Sequence, residues 1–313
     1  MKIVILGKGE MLSNLIEGTL DAKCDIVGVM RYERTIFSKL HLFFHDFFKP
    51  SNDVTVIKQH KLHEIKCKSA NSENFKKELI KLNADVLLLG TWGEKLSKEI
   101  IDTPVIASVN AHPSFLPKYR GPNPYLQTIL HRENKSGITF HLIDENFDTG
   151  AILSQREIQI LPNETSKELK ERTVFQARLM VAELLKKLEF GLVIPIEQNL
   201  KNATYFPNIT DDDKMLDFKN ESAEQIHARI RALHPWLPTY VTYKDKFIIP
   251  NPYKLKILEM NKGDIGSIIE TDYKKHSITV QCTEGKALKM EDVKVYGFFN
   301  KPFTKHILKN IKI

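Results

Sequence analysis

The sequence predicts an α/β fold, with a mostly parallel Rossmann-like sheet followed by a smaller C-terminal β-barrel or OB-like domain. Two observations support this prediction. In the first 190 residues, continuous apolar runs alternate with amphipathic segments of helical period, which is typical of βαβ units. After residue 206 the chain changes to short strand-like pieces separated by turns such as NKGD and TEGK, which favours a small barrel. The length of 313 residues is enough for both domains.

Four continuous apolar runs predict buried parallel strands: KIVILG (2–7), DIVGVM (25–30), ADVLLLG (84–90) and PVIASVN (104–110). Residues 11–21 and 73–83 are predicted as helices, and the second of them places its apolar residues on one face. The stretch GITFHLI (137–143) alternates along its length, with Thr139 and His141 on one side. This alternation indicates a strand with two different faces.

A long helix is predicted after residue 165, because Thr165 and Glu168 form a capping-box pattern and an apolar stripe follows until Gly191. Ser222 and Gln225 form a second capping box at the start of a short helix. These elements predict three segments, which are a first domain over residues 1–190, a linker over 191–206 and a C-terminal domain over 207–313.

The composition limits the class of protein. Apolar residues make up 42% of the chain and charged residues 27%. No apolar run reaches the roughly 18 residues that a transmembrane helix needs, so no membrane partner is expected. The chain begins directly in a strand pattern without a leader-like apolar region. Cys24, Cys67 and Cys282 are few and unclustered, which disfavours a disulfide framework or a thiolate metal site and predicts a cytoplasmic location.

The charge is unevenly distributed. The net charge of the chain is +7, and residues 201–313 contribute +5 of it, with 19 Lys and Arg against 14 Asp and Glu. A basic second domain is what a polyanionic partner such as tRNA would favour. A solvated, lysine-rich surface explains the same charge equally well.

Gly7 and Gly9 follow the first predicted strand and match part of a dinucleotide-binding fingerprint. Leu12 occupies the place of the third glycine, and the acid expected near the end of the second strand is displaced to Glu33. A tight strand-to-helix turn is therefore the preferred interpretation, and no nicotinamide cofactor is expected.

Asn110 and His112 lie two residues apart at the end of a predicted strand, so their side chains project to one face. In open α/β sheets, ligands bind outside the carboxyl ends of the strands. An amide donor beside an imidazole suits acyl transfer, because the amide can stabilise an oxyanion while the imidazole moves a proton. Asp148 is the candidate that would orient the histidine, with Asp144 and Glu145 as alternatives.

Taken singly, each of these residues has a structural explanation, as an ordinary partly buried histidine or as a turn-forming Asn or Asp. A metal site made of His112, His141, Asp144 and Asp148 matches no known ligand spacing, so no metal is expected. No Ser or Cys is arranged as a covalent nucleophile. This favours direct attack by the amine of a substrate.

The strings NAHPSFLPKYRGPNP (110–124) and GITFHLIDENFDTGAIL (137–153) together resemble the formyltransferases that use 10-formyltetrahydrofolate. That family's pattern is Asn-x-His-x-Ser-x-Leu-Pro-x-x-Arg-Gly followed by Asp-Thr-Gly, and every fixed position is present. The resemblance covers about residues 1–190. It continues more loosely through YFPNITDDDKMLDF, IRALHPWLP and the short strands, which are similar to the C-terminal domain of methionyl-tRNA formyltransferases. A similar segment follows the catalytic domain of some sugar formyltransferases.

The resemblance implies the formyltransferase fold and a role for each site residue. His112 would be the general acid or base, Asn110 the oxyanion donor, and Asp148 the partner that raises the pKa of the histidine. The folate donor would lie against the loops TWGEKL and IDENFD and the turn after the strand, with contacts from Glu94, Lys95, Leu96, Ser114, Phe115, Leu116, Pro117 and Asp144. Trp92 would either stack on the pterin or pack as a core aromatic.

The resemblance also implies transfer of the formyl group to a primary amine, which is most simply that of initiator methionyl-tRNA. A nucleotide-linked amino sugar is the alternative acceptor. It is favoured by RYERTIFSKLHLFFHDFFKP (31–50), which stands where methionyl-tRNA enzymes usually carry a Gly- and Arg-rich insert. The aromatic residues of this segment would form a lid, a dimer contact or a packed helix, and they are Phe43, Phe44, Phe47 and Phe48.

Two further classes are less expected. A formyltetrahydrofolate hydrolase would use the same Asn, His and Asp, but such enzymes usually carry a regulatory domain before the catalytic one, and none precedes Met1. A nucleic-acid-binding protein without catalysis is disfavoured, because all three candidate catalytic residues are present.

Overall fold

The structure is a computed structural model that describes residues 1–32, 51–243 and 246–296. Glu33 and the phenylalanines of the 31–50 segment, Phe43, Phe44, Phe47 and Phe48, lie outside the described residues. The chain divides into two compact units. The first contains Met1–Pro124, Ser136–Gln159 and Lys170–Phe206, and the second contains Tyr125–Lys135, Ile160–Leu169 and the chain from Pro207 onward.

The first unit is built on a six-stranded sheet. Its strands are β1 (Lys2–Gly7), β2 (Asp25–Arg31), β3 (Val86–Gly90), β4 (Ala107–His112), β5 (Lys135–Leu142) and β6 (Ile152–Gln159). Their spatial order is β2-β1-β3-β4-β5-β6. β1 runs parallel to β2 and β3, β3 runs parallel to β4, and β5 is antiparallel to β4. The predicted mostly parallel sheet is confirmed.

The helices in the described ranges are α1 (Gly9–Asp21), α2 (Asn52–Gln59), α3 (Glu73–Leu82), α4 (Lys98–Ile101), α5 (Pro124–Leu130), α6 (Ser166–Glu189) and α7 (Ala223–Leu233). Short 3-10 turns cover Leu200–Asn202 and Asp212–Lys214. α3 buries Phe75 and Leu79, as its sequence pattern predicts. None of the described helices combines the length and the apolarity needed to cross a membrane.

The carboxyl ends of three parallel strands lie at one edge of the sheet. Gly7 pairs with Gly90, and Gly90 pairs with Ala111. A Cβ atom on Gly7 would lie 2.3 Å from the carbonyl oxygen of Gly90, so glycine lets the two backbones approach at this point. β1, β3 and β4 therefore end together, at the edge where open α/β sheets bind their ligands.

The turn between β1 and α1 is short. Gly9 begins the helix with a φ of +58° and donates its N–H to Asp53 Oδ2 at 2.8 Å. Asp53 is fully buried, so a side chain of the protein occupies the donor that a phosphate would use in a dinucleotide site. This contact supports the tight-turn interpretation of the two glycines.

The second unit contains β7 (Val241–Tyr243), β8 (Lys246–Ile249), β9 (Leu255–Glu259), β10 (Ile268–Asp272), β11 (Ser277–Gln281), β12 (Lys286–Met290) and β13 (Lys294–Tyr296). They form two antiparallel sheets, ordered β10-β11-β12-β9 and β13-β8-β7. Ile226 and Ile230 of α7 share a buried apolar core with Ile248, Ile278 and Leu288. The predicted smaller β domain is confirmed.

The predicted capping box at Ser222 begins α7. Ser222 Oγ accepts the Gln225 N–H at 3.3 Å, and Gln225 Oε1 accepts the Ser222 N–H at 2.8 Å. We expect Ser222→Ala to lower the free energy of unfolding by about 1 kcal/mol, because a first-turn donor loses its acceptor. Ser222→Asp keeps an acceptor and should remain near wild type. Urea denaturation followed by circular dichroism measures both, and an equal loss in the two variants would contradict this role of the cap.

Candidate active site

The predicted site lies where β4 and β5 run side by side. The antiparallel register pairs Asn110 with His141 and His112 with Thr139. Because residues two apart project to the same side of a strand, these four side chains share one face of the strand pair. Phe140 alternates with them and is fully buried. The two strands therefore present a polar face at the carboxyl end of β4.

Asp148 reaches this face from the loop after β5. Its backbone is left-handed, with a φ of +57°. Its Oδ1 lies 3.3 Å from His112 Nδ1 and 3.4 Å from Asn110 Nδ2, and its Oδ2 accepts the Gly121 N–H at 3.2 Å. The three residues that the sequence nominates as catalytic are thus brought together.

The imidazole of His112 lies between two oxygen atoms and is nearly removed from water. Its Nε2 is 2.9 Å from the Tyr119 carbonyl oxygen, its Nδ1 faces Asp148, and the residue is 5% exposed. Burial lowers the pKa of His112, while Asp148 and the Tyr119 carbonyl act in the opposite direction without cancelling the effect. The Asp148 carboxylate acts to raise the pKa of His112, as the resemblance implies. The net pKa of His112 is nevertheless lowered, because burial has removed the water that would stabilise a protonated ring.

The carboxyl group of Asp148 has a pKa lowered to about 2. Burial alone would raise this pKa, but the charge of His112 outweighs it, together with the hydrogen bond from the Gly121 N–H. The Nε2 atom of His141 lies 3.7 Å from Asp148 Oδ1. Asp148 is therefore an ionised carboxylate at neutral pH.

Thr139 fastens the turn that follows β4. Its hydroxyl donates to the Ser114 carbonyl oxygen at 2.7 Å and accepts the Leu116 N–H at 3.2 Å. Ser114 and Leu116 are buried, Pro117 is half-buried, and Phe115 is 41% exposed. Of the four turn residues predicted to contact the folate, Phe115 presents the most accessible side chain.

The loop over residues 91–96 is tied to residues 69–71. The Glu94 carboxylate accepts the Ala70 N–H at 2.9 Å and the Asn71 Nδ2 at 3.1 Å. Asn71 Nδ2 also donates to the Lys95 carbonyl oxygen at 2.8 Å, and Leu96 is buried in the core. The side chains of Glu94 and Leu96 hold the loop in place, whereas that of Lys95 is exposed.

Trp92 in the same loop packs as a core aromatic, which is one of the two alternatives that the sequence leaves open. It packs against the apolar core, with its ring edge-on to Tyr32 at 5.1 Å between centroids. Its buried Nε1 has no hydrogen-bond partner among the described residues. A buried indole N–H in this situation can still be satisfied by an acceptor on a ligand.

Asp144 organises the loop that carries Asp148. Its carboxylate accepts the Thr149 hydroxyl at 2.6 Å and the Asn146 N–H at 2.9 Å. Across the part of the chain that the structure describes, no three His, Cys, Asp or Glu side chains are grouped to hold a metal ion. Asp144 thus acts here as a loop-forming residue.

Two residues that the sequence does not assign to the reaction also contact the site. His141 Nε2 lies 3.1 Å from Asn110 Nδ2. Gln198 donates from Nε2 to the carbonyl oxygens of Asp148, at 3.1 Å, and Gly150, at 2.8 Å. A sequence signal does exist for His141. Asn110 and His112 lie two apart on one strand, and Thr139 and His141 lie two apart on the neighbouring strand, which predicts a shared polar face. A lone glutamine far along the chain from its partners gives no such signal.

Comparison with known proteins assigns the chain to a family. The family model described as formyl transferase matches residues 1–185, and one described as the formyl transferase C-terminal domain matches residues 208–297. A methionyl-tRNA formyltransferase of Clostridioides difficile (strain 630) is 30% identical over 92% of this chain and 90% of its own length. A methionyl-tRNA formyltransferase of Enterococcus faecalis is 27% identical over 95% of this chain and 92% of its own length. The chain therefore belongs to the formyl transferase family.

Solved structures share the fold. An N-formyltransferase from Helicobacter canadensis, in complex with folinic acid and dTDP-3-aminofucose, aligns with a TM-score of 0.68 and 19% identity, over 93% of this chain and 99% of its own. A sugar 3N-formyl transferase in the presence of dTDP and 5-N-formyl-THF aligns with a TM-score of 0.66 and 19% identity, over 93% and 97%.

The balance of burial and charge at His112 is testable by NMR titration of its ring. We expect a midpoint below the ordinary value of about 6.5, and a still lower midpoint in Asp148→Asn. The negative charge of Asp148 favours the protonated His112 ring, so removing that charge makes protonation harder. Glu145→Gln neutralises an exposed carboxylate of the same loop and should leave the midpoint unchanged. A wild-type midpoint above the ordinary value, or one that ignores Asp148→Asn, would contradict this account.

Proposed function

We propose that this formyltransferase moves the formyl group of 10-formyltetrahydrofolate to the amine of initiator methionyl-tRNA. The observation that carries the chemical part of the proposal is the meeting of Asn110, His112 and Asp148 at the carboxyl end of β4. The site thus combines an amide donor and an imidazole that are each within hydrogen-bonding reach of the same ionised carboxylate. This combination suits attack by an amine on a formyl carbon.

The proposed reaction has two steps. The neutral acceptor amine attacks the formyl carbon, its carbonyl oxygen becomes an oxyanion, and His112 takes the proton from the amine. The carbon–nitrogen bond to the folate then breaks, and His112 returns the proton to the leaving nitrogen. The products are an N-formyl acceptor and tetrahydrofolate, so atoms and charge balance.

Each of the three residues has a separate role in this proposal. The lowered pKa of His112 leaves its ring neutral before attack, which is the state that accepts a proton. Asp148 stabilises the imidazolium that forms, because its carboxylate faces Nδ1 at 3.3 Å. Asn110 donates to the oxyanion, and such a donor typically contributes about 100- to 1,000-fold to turnover.

The folate donor is proposed to lie between the 91–96 loop and the 143–148 loop. Glu94 and Asp144 would shape these loops rather than bind through their carboxylates, because other residues of the chain already engage both groups. Backbone groups near Lys95 and Leu96, the buried Trp92 N–H and the exposed Phe115 ring would face the donor. Folinic acid and 5-N-formyl-THF in the two solved relatives support a folate as donor.

Methionyl-tRNA is the proposed acceptor on the strength of sequence. The Clostridioides difficile and Enterococcus faecalis relatives are methionyl-tRNA formyltransferases that align with nearly the whole chain. The net charge of +5 over residues 201–313 suits a phosphate backbone. All three cysteines are free thiols, which fits a reducing cytoplasm.

A nucleotide-linked amino sugar is the second candidate acceptor. The observation that favours it is the phenylalanine-rich segment 31–50, which replaces the Gly- and Arg-rich insert of typical methionyl-tRNA enzymes. Basic residues would then meet a diphosphate instead of a tRNA. The solved relatives that carry dTDP or dTDP-3-aminofucose are consistent with this candidate.

The catalytic assignment predicts strong losses of turnover. We expect His112→Ala and Asp148→Ala to lower kcat by about 100- to 10,000-fold, because the proton carrier or its counter-charge is lost. His63→Ala removes an exposed histidine and should leave kcat unchanged. Formyl transfer is measured on each variant together with its circular dichroism spectrum. Near-normal turnover in a folded His112→Ala or Asp148→Ala variant would refute the assignment.

Parallel formylation assays with the two classes of acceptor identify the acceptor. The protein is incubated with 10-formyltetrahydrofolate and either charged initiator tRNA or a panel of nucleotide-linked amino sugars, and mass spectrometry detects the gain of one CO. We expect formylated methionyl-tRNA and a binding constant for tRNA that falls steeply with salt, since several phosphate contacts release counterions. Formylation of an amino sugar alone would establish the second candidate. Release of formate with neither acceptor would indicate a hydrolase.

A further inference from the structure

We propose that His141 is a positioning residue that fixes which end of the Asn110 amide faces the reacting formyl group. This inference rests on the proposed function, because it assigns the donor that meets the oxyanion. The observation behind it is the cross-strand pair of Asn110 and His141, whose Nδ2 and Nε2 atoms lie 3.1 Å apart.

The hydrogen bonds of His141 determine its tautomer. Its Nδ1 lies 2.7 Å from the carbonyl oxygen of Leu142. A carbonyl oxygen only accepts, so Nδ1 carries the proton. In the neutral ring, Nε2 then has a lone pair and accepts a hydrogen bond. His141 therefore selects the amide nitrogen of Asn110, and not its oxygen, as its partner.

The second hydrogen of the same amide is the one available for catalysis. The Nδ2 atom of Asn110 has two hydrogens, and one of them is used by His141. The other points to Asp148 Oδ1 across 3.4 Å, which is long for a hydrogen bond and correspondingly weak. That hydrogen can turn to a developing oxyanion while the bond to His141 continues to hold the amide.

Asp148 cannot fix the amide by itself. Its negative charge also favours the nitrogen end of Asn110, but the hydrogen that it holds is the one given up when the oxyanion forms. A second acceptor keeps the amide nitrogen in place while that hydrogen moves from Asp148 to the oxyanion. His141 provides it, because the residue is 2% exposed and its ring is held on the far side by the Leu142 carbonyl.

Substitution by two residues of different chemistry separates this role from a packing role. Glutamine places an amide oxygen near the position of Nε2 and can accept from Asn110, whereas leucine fills the space without an acceptor. We expect His141→Leu to lower kcat by about 10- to 100-fold, a part of the loss expected for a missing oxyanion donor. The KM values for donor and acceptor should change little. His141→Gln should recover kcat to within about threefold of wild type, as a rescued hydrogen bond would.

A double-mutant cycle and an NMR measurement complete the test. In an Asn110→Ala background, His141→Leu should lower kcat no further, because the group it positions is absent. Nitrogen-15 NMR should show a coupling across the hydrogen bond between Asn110 Nδ2 and His141 Nε2 in wild type and its loss in His141→Leu. This readout needs no turnover, so it tests the inference even if no acceptor is formylated.

Several results would overturn the inference. They are equal losses of kcat in the leucine and glutamine variants, a loss confined to KM, multiplicative losses in the double mutant, or the absence of the nitrogen–nitrogen coupling in wild type. Wild-type protein that formylates no acceptor but shows the coupling would instead refute the proposed function and leave the orientation of Asn110 established.

Discussion

The buried carboxylate of Asp148 is the constraint on which the site depends. A carboxylate that loses its water is costly unless other groups of the protein replace that water. Here the partners come from distant parts of the chain, namely β4 through His112 and Asn110, and the turn at Gly121. Because the charge must be satisfied, these segments are held in register with one another. The same contacts that make burial tolerable place an imidazole and an amide beside the carboxylate.

The sequence predicts the parts of this arrangement that are local. Continuous apolar runs predict the parallel strands, and the spacing of Asn110 and His112 predicts that they share a face. The pKa of His112 is harder to predict from the sequence. It depends mainly on how completely the strand pair excludes water, and less on which carboxylate lies nearby. Glu94 shows the same limit from another side. Its chemistry suits ligand binding, but the segment 69–71, which engages it, is fixed only in the folded chain.

The chemistry also explains why the acceptor is harder to identify than the reaction. The proposed steps need a neutral amine, a formyl carbon, a proton carrier and an oxyanion donor, and they use no other part of the acceptor. Asn110, His112 and Asp148 would therefore serve a tRNA-linked amine and a sugar amine alike. Selectivity must come from residues that meet the rest of the acceptor molecule. The strongest sequence signal for those residues, the segment 31–50, lies largely beyond the described part of the chain.

The contacts of Gln198 show how far along the chain the residues that support Asp148 extend. Gln198 holds the carbonyl oxygens of Asp148 and Gly150 and accepts from Arg120 Nη2 at 2.7 Å. The chain that follows continues this support, since Phe206 donates its N–H to the Arg120 carbonyl oxygen at 3.1 Å. A chimera that exchanges the C-terminal third of the chain should therefore be joined after Phe206. If the junction lay near residue 190, the residue in the place of Gln198 would come from the other protein. The Asp148 carbonyl oxygen would then depend on a residue that evolved beside a different loop.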